Sequence, residues 1–266
     1  MSNTNETRTF ENDGLKNVKQ LDEARAVKCN NGTFVGSETD GLIIWKGIPY
    51  ATQPVGKLRW KKALPAADDN GVYDATKPGS VPIGPVNDSN GTAEFGEDCL
   101  VLNIYCNTGC TESKKPVMVW IHGGGFCAES QASPLYDLTS ISKQCPDILF
   151  VSIDYRLGFL GFMNFERVPG GENFKEAGNL GLLDQLEALR WVQKNIAAFG
   201  GDPDNVTIFG ESAVPSRSIN VKLSDEELAA RPQQPLKRNR MVSKALRAYA
   251  QSVASADKGG IRIINE

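Results

Sequence analysis

The chain of 266 residues contains a single histidine, His122, and this scarcity limits the acid–base chemistry available to it near neutral pH. A mechanism that requires an imidazole base must use His122 or do without one. Cysteine is also sparse, with six residues in the whole chain. Cys106 and Cys110 are closely spaced but have no second pair to complete a zinc site, so we expect no bound metal.

Long hydrophobic runs are missing as well. The first 20 residues are polar, which argues against a signal peptide or a membrane anchor, and no other segment has the length of a transmembrane helix. The formal net charge of −3 is too small to indicate a protein that binds nucleic acids or membrane surfaces. We therefore expect a cytoplasmic protein with free thiols and with neither nucleic acid nor membrane as a partner.

Hydrophobic patterning predicts an α/β fold with a central, mostly parallel sheet. Near-continuous apolar runs rich in β-branched residues are typical of strands covered on both faces. The clearest helix is predicted over residues 179–201, where leucines recur at helical spacing before a stop signal of two glycines. Strands are predicted at residues 99–106, at 116–126 and 147–156, which read as buried, and at 205–212, where the strand runs into a turn.

The segments before these strands have different sequence patterns. Residues 26–67 alternate apolar and polar positions between Asn-Gly, Gly-Ser and Asp-Gly turns, which favours antiparallel strands. Residues 68–96 are rich in glycine, proline, asparagine and aspartate, and we predict an irregular loop there. The later succession of strand, helix and strand predicts parallel pairing in the middle of the sheet.

Two motifs at the predicted strand ends point to acyl-transfer chemistry. Gly123, Gly124 and Gly125 follow a buried strand, where backbone N–H groups without neighbouring side chains could stabilise an oxyanion. Ser212 ends another strand in a Gly-Glu-Ser-Ala sequence, the position of a nucleophile on a sharp strand-to-helix turn. Each motif taken alone is also compatible with an ordinary tight turn.

His122 is a poor candidate for the base of a serine triad. It directly precedes the three glycines, and we predict that it points into the structure. In α/β-hydrolases the nucleophile, the acid and the histidine follow in that order along the chain, and no histidine follows Ser212. We therefore interpret His122 as a structural residue.

The sequence changes character directly after the candidate nucleophile. The elbow motif requires a glycine two residues after the serine, where this chain has Val214, and Pro215 removes an N–H from the helix that should follow. Residues 1–213 hold 19 Lys and Arg against 27 Asp and Glu, whereas residues 214–266 hold ten against five. We therefore place a domain boundary directly after Ala213.

Taken together, these residues resemble the N-terminal half of the type B carboxylesterases, the family that includes the cholinesterases and the bacterial para-nitrobenzyl esterases. The similarity covers residues 1–213, about four fifths of the chain, and is nearest to bacterial intracellular members. The motifs that carry it are Gly47-Ile-Pro-Tyr-Ala51, Leu58-Arg-Trp60, Glu97-Asp-Cys-Leu-Val-Leu-Asn103, His122-Gly-Gly-Gly-Phe126, Asp154-Tyr-Arg156 and Phe209-Gly-Glu-Ser-Ala213.

The resemblance implies an α/β-hydrolase fold and the hydrolysis of small-molecule esters through an acyl-enzyme, without a cofactor. It makes Ser212 the nucleophile and gives the oxyanion hole to the backbone N–H groups of Gly124, Gly125 and Ala213. It also places Glu211 near the site. The family's triad acid and base lie in its C-terminal half, so we expect neither of them within this chain.

Two smaller departures from the family pattern stand out. Cys99 lacks the upstream cysteine that usually pairs with it, so the resemblance implies a free thiol at this position. Glu129 stands where a glycine is common. Both departures lie in the part of the chain that carries the resemblance.

The tail, residues 214–266, contains the stretches Val214-Pro-Ser-Arg-Ser-Ile-Asn220, Ser224-Asp-Glu-Glu-Leu-Ala-Ala-Arg231 and Ala245-Leu-Arg-Ala-Tyr-Ala250 through Ser255-Ala-Asp-Lys-Gly259. These stretches resemble the C-terminal end of the bacterial dihydroxy-acid dehydratases. We predict a short α+β segment, with a strand over residues 218–223 and helices over 224–231 and 242–256. That family uses an iron–sulfur cluster and magnesium. Since the tail contains no cysteine, we carry over neither the metal site nor the dehydratase activity.

The resulting interpretation is an ester hydrolase by family that is catalytically incompetent because the triad acid and histidine are missing. One alternative is a chimeric or truncated fragment without evolved function, in which two unrelated coding sequences meet near residue 213. Ending the sheet at the elbow strand would then leave an unpaired apolar edge, which favours aggregation. A further alternative is a non-catalytic binding module like the cholinesterase-like adhesion proteins.

Overall fold

The computed structural model describes residues 22–84, 94–109, 114–166 and 168–212, together with the backbone of Arg262–Ile264. It contains twelve strands, three α-helices and several short 3₁₀ turns in these ranges. The strands are β1 (Ala26–Cys29), β2 (Asn31–Val35), β3 (Ser37–Thr39), β4 (Leu42–Pro49), β5 (Asp69–Asp74), β6 (Val81–Pro82), β7 (Phe95–Gly96), β8 (Val101–Asn107), β9 (Lys115–Ile121), β10 (Leu149–Ile153), β11 (Gly201–Gly210) and β12 (Arg262–Ile264). The α-helices are α1 (Thr139–Gln144), α2 (Gly158–Phe162) and α3 (Leu180–Asn195).

A seven-stranded mixed sheet forms the centre of the molecule, in the order β12-β11-β9-β10-β8-β4-β3. Strands β12, β11, β9 and β10 pair in parallel, whereas β10, β8, β4 and β3 pair antiparallel. The prediction of a mostly parallel sheet is therefore wrong in its proportions. The antiparallel N-terminal strands continue the same sheet through β8, so parallel and antiparallel pairings are equally numerous.

The predicted buried strands and the long helix are confirmed. Strands β8, β9, β10 and β11 lie where the apolar runs placed them, with β10 buried along its whole length. Helix α3 begins at Leu180 and ends at Asn195, and a 3₁₀ turn over Ile196–Phe199 follows it. Gly200 then adopts a left-handed φ of 85°, which reverses the chain into β11.

The core lies between α3 and one face of the sheet. Alternate residues of β9, Val117, Val119 and Ile121, pack in the same cluster as Leu189 and Val192 of α3. The intervening β9 residues point to the opposite face, where α1 packs near β8 and β4. The sheet is thus apolar on both sides, as near-continuous hydrophobic strands require.

The prediction of an irregular loop over residues 68–96 is wrong in part. Strand β5 joins β1 and β2 in a separate three-stranded sheet, and β6 pairs with β7. The residues of β5 are exposed or half-buried, so they carry none of the apolar periodicity by which a strand is recognised in a sequence. Residues 85–93 lie outside the described ranges.

The edge of the sheet beyond β11 is also not as predicted. The backbone of β12 pairs in parallel with Thr207–Phe209, so part of the expected unpaired edge is covered by the chain's own C-terminal residues. The strand and helices predicted for residues 218–256 lie outside the described residues. In the ranges that are described, no helix has the length and apolarity needed to cross a membrane.

Five of the six cysteines are described, and Cys29, Cys99, Cys127 and Cys145 are free thiols. Burial raises the pKa of the Cys29 thiol to about 12 and that of Cys99 well above its usual range, so both are protonated and unreactive. Free thiols are therefore confirmed at these positions. The described residues contain no group of three or more His, Cys, Asp or Glu side chains that could hold a metal ion.

Candidate active site

The two sequence motifs emerge side by side from neighbouring strands. Strands β9 and β11 are adjacent and parallel, and Gly210 pairs in register with Ile121. His122 and the three glycines leave the carboxyl end of β9, while Glu211 and Ser212 leave the carboxyl end of β11. This is the edge of a parallel sheet at which functional residues collect in α/β proteins.

Ser212 occupies a backbone conformation that residues with a side chain rarely adopt. Its φ is 52°, in the left-handed region, and the residue is exposed. Such a conformation costs about 1–3 kcal/mol and is found where the surrounding structure enforces it, as in the turn that presents a nucleophilic serine. Ala213, Val214 and Pro215 lie outside the described residues.

The segment from His122 to Gln131, here called the glycine loop, is tightly wound. Gly124 and Gly125 have φ values of 84° and 61°, and Phe126 and Glu129 follow at 64° and 71°. A Cβ on Gly124 would collide with the carbonyl group of Ala128. Glycine is therefore required at this point of the loop, whereas Glu129 adopts a left-handed conformation that usually favours glycine.

The loop leaves two N–H groups available. The N–H groups of Cys127 and Ala128 both donate to the Gly124 carbonyl, at 3.0 and 3.1 Å, which closes the turn. Within the described residues the N–H groups of Gly124 and Gly125 have no acceptor, and a Cβ on Gly125 would meet nothing within 4 Å. Backbone donors facing open space are suited to bind an oxyanion.

Glu211 connects the serine turn to the glycine loop. A Cβ on Gly123 would lie 3.0 Å from the Glu211 carbonyl oxygen and against its carboxylate, so only glycine permits this approach. The hydroxyl of Tyr136 donates to Glu211 Oε2 at 3.2 Å. Burial, reinforced by Glu211, raises the pKa of Tyr136 to about 12, so this donor stays protonated throughout the neutral range.

His122 is fully buried, and its ring contacts residues other than Ser212. Its Nδ1 lies 3.1 Å from the Gly123 carbonyl, its Nε2 lies 3.5 Å from Asp154 Oδ1, and its ring stacks on Tyr155 at 4.5 Å. Burial lowers the pKa of His122 to about 4. None of the contacts of His122 among the described residues involves Ser212, and the interpretation of His122 as a buried structural residue is confirmed.

The sequence pattern predicts the glycines and the serine as candidates but not the residues that contact them in the structure. Tyr136 donates a hydrogen bond to Glu211 across 75 positions of the chain. Gln131, at the end of the glycine loop, donates its N–H to Asp154 and accepts from Ser152 across 23 and 21 positions. Asp154 had a signal, since it begins one of the motifs that carry the family resemblance. Tyr136 and Gln131 had none, because nothing in their local sequence distinguishes them from other core residues.

Proteins of known family share the sequence that forms this site. The Carboxylesterase family profile matches residues 23–220. The para-nitrobenzyl esterase of Bacillus subtilis (strain 168) is 44% identical over 194 residues, which are 70% of this chain and 38% of that protein. The liver carboxylesterase of Sus scrofa is 43% identical over 197 residues, 68% of this chain and 33% of that protein.

A solved structure of a Geobacillus stearothermophilus carboxylesterase at pH 6.8 has the same fold over the shared region. It superposes with a TM-score of 0.64 at 45% sequence identity, covering 71% of this chain and 38% of that one. The chain therefore spans well under half the length of these relatives. The turn at Ser212 and the glycine loop both lie within the residues matched by the family profile.

Proposed function

Because the chain belongs to the carboxylesterase family, we propose that it carries the nucleophile and the oxyanion-binding part of an ester hydrolase site. Ser212 Oγ attacks the carbonyl carbon of a small-molecule ester. The N–H groups of Gly124, Gly125 and Ala213 stabilise the resulting oxyanion. Collapse of the tetrahedral intermediate releases the alcohol and leaves an acyl group on Ser212, and no cofactor takes part.

The observation that carries this proposal is the proximity of the strained serine turn and the glycine loop. Glu211 packs directly against Gly123, so Ser212 and the two available N–H groups approach the same edge of the sheet. An exposed turn can be built without a left-handed serine. A nucleophile that must project from the end of the sheet, in contrast, needs the sharp turn that this conformation gives.

The same geometry leads us to propose that these 266 residues alone turn over esters at a negligible rate. Ser212 must transfer its proton to a base during attack, and the leaving alcohol must receive one. The single histidine is buried and held by Gly123 and Asp154. A base and its acid partner would therefore have to come from outside these residues.

We further propose that the tail after Ala213 is unrelated to the hydrolase fold and derives from a dehydratase-like sequence. The excess of basic residues over 214–266 supports this, and the family match stops at residue 220, seven positions after the proposed boundary, leaving residues 221–266 unmatched. On this proposal the chain is a chimera of two segments at a boundary near Ala213. The nucleophile and the oxyanion donors then belong entirely to the first segment.

Covalent labelling with a fluorophosphonate tests whether Ser212 is the nucleophile. Ser212 Oγ displaces fluoride from phosphorus and its proton passes to water or buffer, so labelling proceeds slowly without a positioned base, and fluoride leaves without needing a proton. We expect the peptide containing Ser212 to gain the phosphonyl mass, and Ser212→Ala to lose it. Ser140→Ala, at an exposed serine of α1, should label like the parent protein. Equal labelling of the Ser212→Ala variant would contradict the assignment.

A further inference from the structure

We propose that Asp154 is a positioning residue that, as an uncharged carboxylic acid, connects His122 to Gln131 and thereby fixes both ends of the glycine loop. The catalytic meaning of this inference rests on the proposed function, since the loop carries the oxyanion donors. The position of the Asp154 carboxyl proton, and the contacts which that proton maintains, do not depend on the proposed function.

Asp154 contacts the first and the last residue of the loop through the same oxygen. The N–H of Gln131 donates to Asp154 Oδ1 at 2.8 Å, and His122 Nε2 lies 3.5 Å from that oxygen. The side chains of His122 and Asp154 are 0% and 1% exposed. Among the described residues, neither His122 Nε2 nor Asp154 Oδ2 has a hydrogen-bond partner, so the 3.5 Å approach of Nε2 to Oδ1 is the polar contact within reach of the ring nitrogen.

The protons of this pair can be assigned from the acceptors around it. His122 Nδ1 lies 3.1 Å from the Gly123 carbonyl, which can only accept, so Nδ1 carries the ring proton. In a neutral imidazole Nε2 then bears a lone pair and requires a donor. The carboxyl group of Asp154 is the group within reach, and it can donate only when it is protonated.

Burial favours the same uncharged assignment for both partners. Desolvation lowers the pKa of His122 to about 4 and raises that of Asp154 well above its usual range. The aromatic groups that face the pair, Tyr155 and Tyr136, are neutral because burial raises the pKa of both phenols. The guanidinium of Arg156, two residues after Asp154, donates to Asp184 instead.

Neighbouring residues at the end of β10 reinforce the same two anchor points. Tyr155 donates its hydroxyl to the His122 carbonyl at 2.9 Å, and Ser152 donates to the Gln131 side-chain carbonyl at 3.0 Å. The loop cannot shift without breaking several buried hydrogen bonds at once, which is costly when the groups are left unpaired. The positions of the Gly124 and Gly125 N–H groups are thus set from β10.

The single histidine allows a direct spectroscopic test of the full-length protein. In a long-range ¹H–¹⁵N spectrum, His122 gives the only histidine side-chain signals. We expect a neutral ring with Nδ1 protonated and Nε2 unprotonated, unchanged between about pH 5 and pH 8, where an ordinary histidine titrates. An imidazolium ring at neutral pH, or a ring protonated on Nε2 alone, would overturn the assignment.

Two substitutions of Asp154 distinguish a role in positioning the glycine loop from a role in filling the core. Asp154→Asn retains both a donor and an acceptor, so its Tm should stay within about 2–4 °C of the parent, and Ser212 should be labelled at the parent rate. Asp154→Leu loses both groups, and labelling should slow by about tenfold or more at temperatures where the variant remains folded. An Asp154→Asn variant as impaired as Asp154→Leu would overturn the proposal.

The state of the His122–Asp154 pair can still be decided if Ser212 is not labelled or if Asp154→Leu does not fold. If the parent protein is not labelled at Ser212, the proposed function is wrong, while the ring spectrum and the Tm of Asp154→Asn still decide the state of the pair. If Asp154→Leu does not fold, the comparison of Asp154→Asn with the parent protein decides alone. A labelled parent combined with a charged His122 would leave the proposed function intact and reject the pair.

Discussion

The purified chain is expected to hydrolyse p-nitrophenyl acetate with a kcat about 10⁶-fold below that of the Bacillus subtilis para-nitrobenzyl esterase assayed in parallel, the scale of loss on removing a triad histidine. On the proposed assignment, Ser212 and the N–H groups of the glycine loop remain, and such groups can supply roughly 10³–10⁴ over the reaction in water. What is missing is proton transfer, because the one histidine is buried against Asp154.

The comparison that makes this result informative is the Ser212→Ala variant. The small residual rate should fall further in Ser212→Ala if the serine turn is formed, whereas Ser140→Ala should leave it unchanged. A steady-state assay against an enzyme-free blank measures both. A parent protein with an ordinary esterase kcat that disappears in Ser212→Ala would show that a base is present, and the account of the missing triad would be wrong.

The second large effect expected is a loss of stability of about 3–5 kcal/mol in Asp184→Asn, because one partner of a buried ion pair is removed. Arg156 donates through Nε and Nη2 to the two oxygens of Asp184, at 2.7 and 2.6 Å. Both side chains are almost fully buried. The amide cannot accept both donations, so the guanidinium charge is left in the core without compensation.

Thermal unfolding followed by circular dichroism measures this effect. A loss of this size should lower Tm by roughly 10 °C in a domain of this length. Asp68→Asn is the matched control, since Asp68 forms an exposed pair with Lys194 at 3.4 Å and should change stability by less than about 1 kcal/mol. Equal Tm values for the two variants would show that the Arg156–Asp184 pair does not stabilise the fold as argued.

The sequence predicts the centre of the fold better than its periphery for a physical reason. Strands β9 and β10 and helix α3 contribute many residues to the core, so their apolar patterns are long and unambiguous. Strand β5 forms the edge of a small sheet and α1 is a short helix, and neither buries enough residues to create a periodic pattern. The equal mixture of parallel and antiparallel pairings follows from how β8 joins β10, which local sequence does not encode.

The candidate site follows the same rule. Ser212 and the glycines are predictable because the local backbone demands particular residue types, a left-handed turn and a loop without side chains. Tyr136 and Asp154 act on these residues across the fold, through single hydrogen bonds or contacts to Glu211, Gln131 and His122. Such contacts exist only once the strands are assembled, so no sequence pattern reveals them.

Chemical rescue by imidazole tests whether the proposed nucleophile and oxyanion donors are in place and only the base is missing. Imidazole cleaves activated esters by itself, so the measured quantity is the difference in rate between the parent protein and Ser212→Ala at equal imidazole concentrations. We expect the parent to gain about tenfold over Ser212→Ala, below the 10²–10⁴ that a positioned base supplies. Identical rates for the two proteins at every imidazole concentration would contradict the account.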